Sequence, residues 1–302
     1  MENNNFAAID IGSNGARLLI KNVREDSMGN YEFNKLLFLR IPLRLGKDVF
    51  TLGEVSAERE RMMTCMLKSY KQLMKLYNVS EYRACATSAM RDARNGMNIL
   101  KRLEKKTGID IEIIGGGEEA QILYNYSIES TDPNNGNYAY MDVGGGSTEI
   151  SMMSNGKLVG SFSYNVGTIR MLSGAVKEGV VEKLRRDMED YSQNYDDITI
   201  IGSGGNINKL CRMFHEDDKG DKRILPVGEL AKLHDKLKPL TFQERMDKYG
   251  LKPDRADVII PASEIFLIVA QALHCDNIYV PNISLADGII DGLYKKSKVK
   301  YL

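Results

Sequence analysis

Hydrophobic positions, many of them β-branched or aromatic, crowd three early runs of the chain, Phe6–Ile11, Ala16–Val23 and Tyr31–Leu45. These runs predict three strands opening a mixed sheet, the first two joined as a hairpin across Gly12–Gly15. At Ser56 the period becomes helical, with Met62, Met66, Leu67, Tyr70, Leu73 and Met74 on one stripe to about Tyr77 and Ser56 as the cap. Short apolar runs at Arg83–Ala86 and Ile111–Ile114 predict buried strands, the second leading through Gly115–Gly117 into a helix to about Asn125. After the linker-like S-T-D-P-N-N-G of Ser130–Gly136 the pattern restarts. Tyr138–Val143, Thr148–Met152 and Lys157–Tyr164 predict three more strands, Val180–Tyr195 a helix, and Ile198–Ile201 a buried strand running through glycines into the helix Asn206–Phe214. Pro226 to about Met246 predicts helix broken at Pro239. Val258–Leu273 predicts a buried helix, Asn277–Val280 a last strand and Leu285–Tyr294 a closing helix.

Composition narrows this little. With 302 residues, 43% hydrophobic and 27% charged, the chain has room for two domains with proper cores. Forty-one basic residues balance 41 acidic ones, so no nucleic-acid partner is expected and any polyanion site must be local. Val258–Leu273 carries Pro261 and Glu264 and is too short to span a bilayer, so no membrane partner is expected. The start, Met1–Asn5, lacks the features of a signal peptide. Cys65, Cys85, Cys211 and Cys275 are widely spaced, with no zinc or disulfide pattern, which makes a reducing cytoplasm the expected home.

The candidate chemistry lies in a repeat. Asp10-Ile11-Gly12-Ser13-Asn14-Gly15 aligns with Asp142-Val143-Gly144-Gly145-Gly146-Ser147 at an offset of 132 residues. Each glycine turn joins two strands rather than opening a helix, which rules out a dinucleotide-binding loop. One such turn is an ordinary hairpin. Two in register predict two similar lobes, each presenting Asp-x-Gly and bare backbone N–H groups to a shared cleft, where a polyphosphate chain and a metal would be held.

Four acids are candidates for that cleft: Asp10, Glu119, Asp142 and Glu149. Two carboxylates about 5 Å apart repel by roughly 3 kcal/mol at an effective dielectric near 20, so such a cluster calls for a cation. Mg²⁺, with Mn²⁺ as a substitute, suits a few carboxylates and phosphate oxygens; Asp142 and Glu149, flanking one turn, form the natural metal-side pair. Glu119 is the candidate base for a water attacking a terminal phosphorus, and Arg91, after a buried strand, is a candidate phosphate clamp. Gly204, in the strand-to-helix loop Gly202–Gly205, fits either an anion site or a tight turn. No Cys-x5-Arg loop and no nucleophile triad is present, which favours direct attack by water.

With A-A-I-D-I-G-S-N, R-L-G at Arg44–Gly46, A-T-S-A-M-R-D-A, G-E-E-A, D-V-G-G-G-S-T-E and G-S-G-G in that order, the chain resembles the exopolyphosphatase and guanosine pentaphosphate phosphatase family, within the actin, Hsp70 and sugar-kinase superfamily. The resemblance implies an α/β fold of two ribonuclease H-like (actin-like ATPase) lobes, each a mixed sheet with helices. Residues 1–128 would form the first lobe together with a returning C-terminal helix, 284–302, and residues 129–283 the second. It implies Glu119 as base, Glu149 as essential, Asp142 as magnesium ligand, and Ser13, Asn14, Arg91 and Gly144–Ser147 as phosphate contacts, Gly145 and Gly146 among them. The substrate would be inorganic polyphosphate or guanosine pentaphosphate, and a homodimer is plausible by likeness alone. Three departures stand out: Gly15 where the family commonly has Ser, Gln121 where Arg or Lys is frequent, and an end near 302 where longer relatives continue.

Overall fold

The computed structural model describes residues 4–25, 31–130, 136–215, 222–281 and 283–299, with the side chains of 127–130 and 299 left aside. The chain divides into two compact units, Met1–Tyr126 with Leu285–Leu302, and Ser127–Ser284. The expected linker Ser130–Gly136 falls mostly outside the described residues.

The first unit opens with β1 (Asn5–Ile11), β2 (Ala16–Glu25) and β3 (Tyr31–Ile41), followed by α1 (Leu45–Leu52), α2 (Ala57–Leu76), β4 (Glu81–Ala86), α3 (Ser88–Asp92), α4 (Gly96–Thr107), β5 (Glu112–Ile113) and α5 (Gly116–Ser130). Its sheet runs β3-β2-β1-β4-β5, the first three strands antiparallel and β4 and β5 parallel to β1. Because β1 is covered on both faces, it reads as an unbroken apolar run. Ala7, Ile9 and Ile11 face a core with Met63, Leu67 and Tyr70 of α2 and Ile99 and Leu103 of α4. The alternate residues Phe6 and Ala8 face a second core.

The second unit contains β6 (Asn137–Val143), β7 (Thr148–Ser154), β8 (Lys157–Tyr164), α6 (Thr168–Leu172), α7 (Val180–Ser192), β9 (Ile198–Ser203), α8 (Gly205–Phe214), β10 (Ile224–Pro226), α9 (Val227–Leu237), α10 (Phe242–Tyr249), α11 (Pro253–Ala256), α12 (Ile259–Ala272) and β11 (Asn277–Tyr279). The order β8-β7-β6-β9-β11, extended by the short antiparallel β10, repeats the topology of the first sheet. Apolar on nearly every face, α12 is the buried centre of this unit and packs against α6, α7, α8 and α9. The last helix, α13 (Leu285–Val299), belongs to the first unit and covers the Phe6 and Ala8 face of its sheet with Leu285, Ile289 and Ile290. The α/β class with two mixed sheets is therefore as expected. No helix among the described residues is long and apolar enough to cross a membrane.

The expected third strand stops short of Leu45. It ends at Ile41; Pro42 follows, Arg44 turns left-handed at φ 54°, and Leu45 begins α1. The short helices α3 and α6 and the twelve-residue α4 were likewise not anticipated.

Candidate active site

In the first unit, β1 delivers Asp10 to the start of the loop, where Arg17, its cross-strand partner on β2, donates to Oδ2 at 2.9 Å. The Gly12 N–H closes the turn on the Gly15 carbonyl at 3.1 Å. The carbonyl of Ser13 accepts from Gly46 N–H at 2.8 Å and that of Asn14 from Arg44 N–H at 2.9 Å. A trans peptide points each carbonyl and the following N–H to opposite sides. The N–H groups of Asn14 and Gly15 are thereby aimed away from α1. Ser13 is buried, its hydroxyl sharing a hydrogen bond with Ser88 at 2.8 Å.

Arg91, on α3, donates from Nη1 to the Ile114 carbonyl at 2.8 Å, just before the Gly115–Gly117 run. A Cβ at Gly115 or Gly117 would meet no atom of the described residues within 4 Å. The two acids that follow are unlike. Glu118 lies outward and pairs with Arg83 at 2.6 Å, whereas Glu119 is 7% exposed. Gln121, one of the departures, is bonded along the helix to Asn125 at 2.8 Å.

In the second unit the register pairs Asp142 on β6 directly with Glu149 on β7, so both carboxylates stand on one face of the hairpin, with oxygens within 4.8 Å of each other. Ser203 donates to Asp142 Oδ1 at 2.7 Å and Ser163 to Glu149 Oε1 at 3.0 Å. Each acid is thus oriented by a hydroxyl that carries no charge. These two carboxylates are a hard oxygen donor set, which fits Mg²⁺ or Mn²⁺.

The glycine loop between them is braced from behind. The N–H of Thr168 donates to the Gly144 carbonyl at 3.0 Å, those of Ile169 and Arg170 to the Gly145 carbonyl at 2.8 and 3.0 Å, and Arg170 Nε to the Gly146 carbonyl at 2.7 Å. Three consecutive carbonyls are held on the α6 side, and the N–H groups of Gly145, Gly146 and Ser147 therefore point to the other, an arrangement of donors that suits an anion. Gly204, the first residue after β9, has φ +100°, and a Cβ there would lie 2.8 Å from Asp142 Oδ1. Its place is the tight turn under Asp142.

Sequence reading missed the braces. Arg170 is buried and Gly167 is pressed against the loop, yet nothing in V-G-T-I-R marks either as a functional residue. The first-unit brace, Arg44–Gly46, was visible only as a motif.

Two repeated ribonuclease H-like sheets, each with a glycine hairpin backed by a short helix, make this an actin-type α/β protein. The chain belongs to the Ppx/GppA phosphatase family, whose model matches residues 23–297. It is 29% identical, over 97% of its length, to the bifunctional 3-dehydroquinate synthase/phosphatase of Fusobacterium nucleatum and covers 47% of that protein. It is 23% identical to the guanosine-5'-triphosphate,3'-diphosphate pyrophosphatase of Aliivibrio fischeri, over 95% of this chain and 59% of the relative. The chain thus spans about half the length of these curated relatives. Exopolyphosphatase 2 of Mycobacterium tuberculosis is 24% identical and is matched over 94% of this chain and 96% of its own length. Among solved structures, a Ppx/GppA family member from Aquifex aeolicus superposes with a TM-score of 0.75 at 26% identity, covering 97% of this chain and 98% of that one.

Proposed function

We propose that the chain is a divalent-metal-dependent phosphoanhydride hydrolase that releases terminal orthophosphate from inorganic polyphosphate. The observation that carries this reading is the hairpin Asp142–Glu149: three N–H groups directed to one side, from Gly145, Gly146 and Ser147, between two carboxylates of one face. Such a loop suits the non-bridging oxygens of a phosphoryl group, and the acids suit the cation that accompanies it. The relative of matching length, exopolyphosphatase 2, supports polyphosphate as the substrate.

In this reading Asp142 and Glu149, and Asp10 at the first loop, would hold Mg²⁺ or Mn²⁺. The metal would neutralise charge on the transferred phosphoryl group. Gly12, Ser13 and Asn14, with Gly144–Ser147 and Arg91, contact phosphate oxygens; Gly204 shapes the turn that aims Asp142. Glu119 takes the proton from the attacking water, and the leaving polyphosphate departs one phosphate shorter with no covalent enzyme intermediate. The four free thiols agree with a cytoplasmic setting.

A second substrate, guanosine pentaphosphate, ends in the same anhydride, and the Aliivibrio relative favours it. Phosphate release from polyphosphate, guanosine pentaphosphate and ATP, with and without Mg²⁺, decides. Wild type should act on one of the first two and Glu119→Gln and Glu149→Gln on neither. Near wild-type turnover in both variants would remove the catalytic assignment; tight binding without turnover by wild type would mark a sensor, and ATP consumption dependent on an acceptor a kinase.

A further inference from the structure

Glu119 stands in the first turn of α5, and one stripe of that helix runs from it through Ile122 and Leu123 to Tyr126 at the spacing i, i+3, i+4, i+7. Every position on the stripe below Glu119 is gripped by the returning helix or by β2. A Cβ on Gly288 of α13 would lie 2.7 Å from the Ile122 carbonyl oxygen, so the two backbones touch and only glycine fits. Leu123 is buried in one cluster with Leu285, Ala286 and Ile289. At Tyr126 the buried Lys21 of β2 closes the set: its Nζ lies 2.6 Å from Asp287 Oδ1, shares a hydrogen bond with Tyr126 and sits 5.4 Å from that ring's centroid.

A buried ion pair is a weak source of stability, because desolvation offsets most of its attraction, but it tolerates little change of geometry. Burial pulls the Lys21 ammonium down, yet Asp287 and Tyr126 outweigh it and the net shift is upward, so Lys21 stays charged at neutral pH. Gly288 sets how closely α5 approaches α13, and Lys21 with Asp287 sets its rotation and its height along the sheet. We propose that Lys21, Asp287 and Gly288 are positioning residues for Glu119, acting through α5. This rests on the reading of Glu119 as the base.

The test is steady-state phosphate release by the full chain, with turnover counted per folded molecule. Gly288→Ala and Lys21→Met should each lower kcat on the order of ten- to hundredfold, the scale of a small misplacement of a reacting group, with KM within about twofold. Leu293→Ala, in the same apolar cluster but past the α5 contact, should lower Tm and leave kcat per folded molecule unchanged. Equal kcat in Gly288→Ala, Lys21→Met and wild type, with Glu119→Gln inactive, would overturn the positioning role alone. Full turnover by Glu119→Gln would instead overturn the base assignment and this inference with it.

Discussion

Arg170 and Gly146 are joined by a 2.7 Å hydrogen bond in which a buried guanidinium Nε donates to a loop carbonyl. Together with the α6 N–H groups, this bond decides which way the glycine loop presents its own donors. Arg170→Met should leave the Gly146 carbonyl with a lost charged partner, at a cost of about 1–3 kcal/mol, and loosen the loop. The expected result is a Tm lowered by several degrees and KM for the phosphate substrate raised about tenfold or more, read in the phosphate-release assay. Unchanged KM would mean that the loop holds its shape without the brace.

Gly167 supports the same loop by being small. A Cβ there would come within 2.5 Å of the Gly146 and Ser147 backbone, a distance no side chain tolerates. Gly167→Ala should therefore impair phosphate release at least as strongly as Arg170→Met, with the far-ultraviolet circular dichroism of the fold retained.

Gly15, where the family resemblance led to an expectation of serine, has a local cause. A Cβ at this position would sit 2.9 Å from the Ile41 carbonyl oxygen and 3.2 Å from Arg40 Nη2. Gly15→Ser should thus destabilise the first unit by about 1–3 kcal/mol through overpacking, measured by thermal or urea denaturation. Restoring the residue common in the family should bring no gain in KM, since the nearest obstacle is the Ile41 backbone carbonyl.

Much of this was legible in the chain. The apolar and β-rich runs gave β1, β2, β6, β7 and β8 because each strand is pinned by an adjacent hairpin partner, and repeated Asp-x-Gly marked both loops. What the sequence hid is what depends on backbone hydrogen bonding over distance. α1 starts from a left-handed Arg44 without a side-chain cap, directly after a β-rich run, so the pattern reads as continuing strand. α6 is five residues long, too short for a helical stripe, yet it orients three loop carbonyls. α4 does carry a stripe, Ile99, Leu100 and Leu103, but it opens on Gly96 with no capping side chain. Glu119 was already preferred to Glu118 in the sequence, and the fold supplies the physical difference between these adjacent acids, since Arg83 pairs with Glu118.

The buried thiols give a pH dependence. Burial pushes Cys85 and Cys275 up to about 12, from an ordinary value of 9.0. The unfolded chain ionises these thiols above its lower pKa while the folded chain keeps them protonated. Their contribution to stability is therefore complete below about pH 9 and is lost as the pH rises from there toward 12. Urea midpoints should fall over that alkaline window, and less so in Cys85→Ala relative to its own neutral-pH value. In native protein at neutral pH, a thiol reagent should modify the exposed Cys65 well before Cys85, Cys211 or Cys275.

The pair Asp142 and Glu149 sets the metal prediction. Their oxygens lie within 4.8 Å, and at an effective dielectric near 20 the charges repel by roughly 3 kcal/mol. A divalent ion removes that repulsion, so Mg²⁺ should raise the Tm of wild type in the absence of any substrate. Asp142→Asn removes one charge and the repulsion with it; its metal-free Tm should equal or exceed that of wild type, and added Mg²⁺ should shift it little. Ser203→Ala keeps both charges but releases the hydroxyl that aims Asp142, so it should retain a Mg²⁺ shift at a weaker affinity. Inner-sphere coordination is not screened, whereas an exposed charge trap is, over a Debye length of about 4 Å near 0.5 M salt. A chelator should consequently abolish both the Tm shift and phosphate release where about 0.5 M salt only weakens them. The reverse ranking, with salt the stronger inhibitor, would replace a metal site by plain attraction of a polyanion.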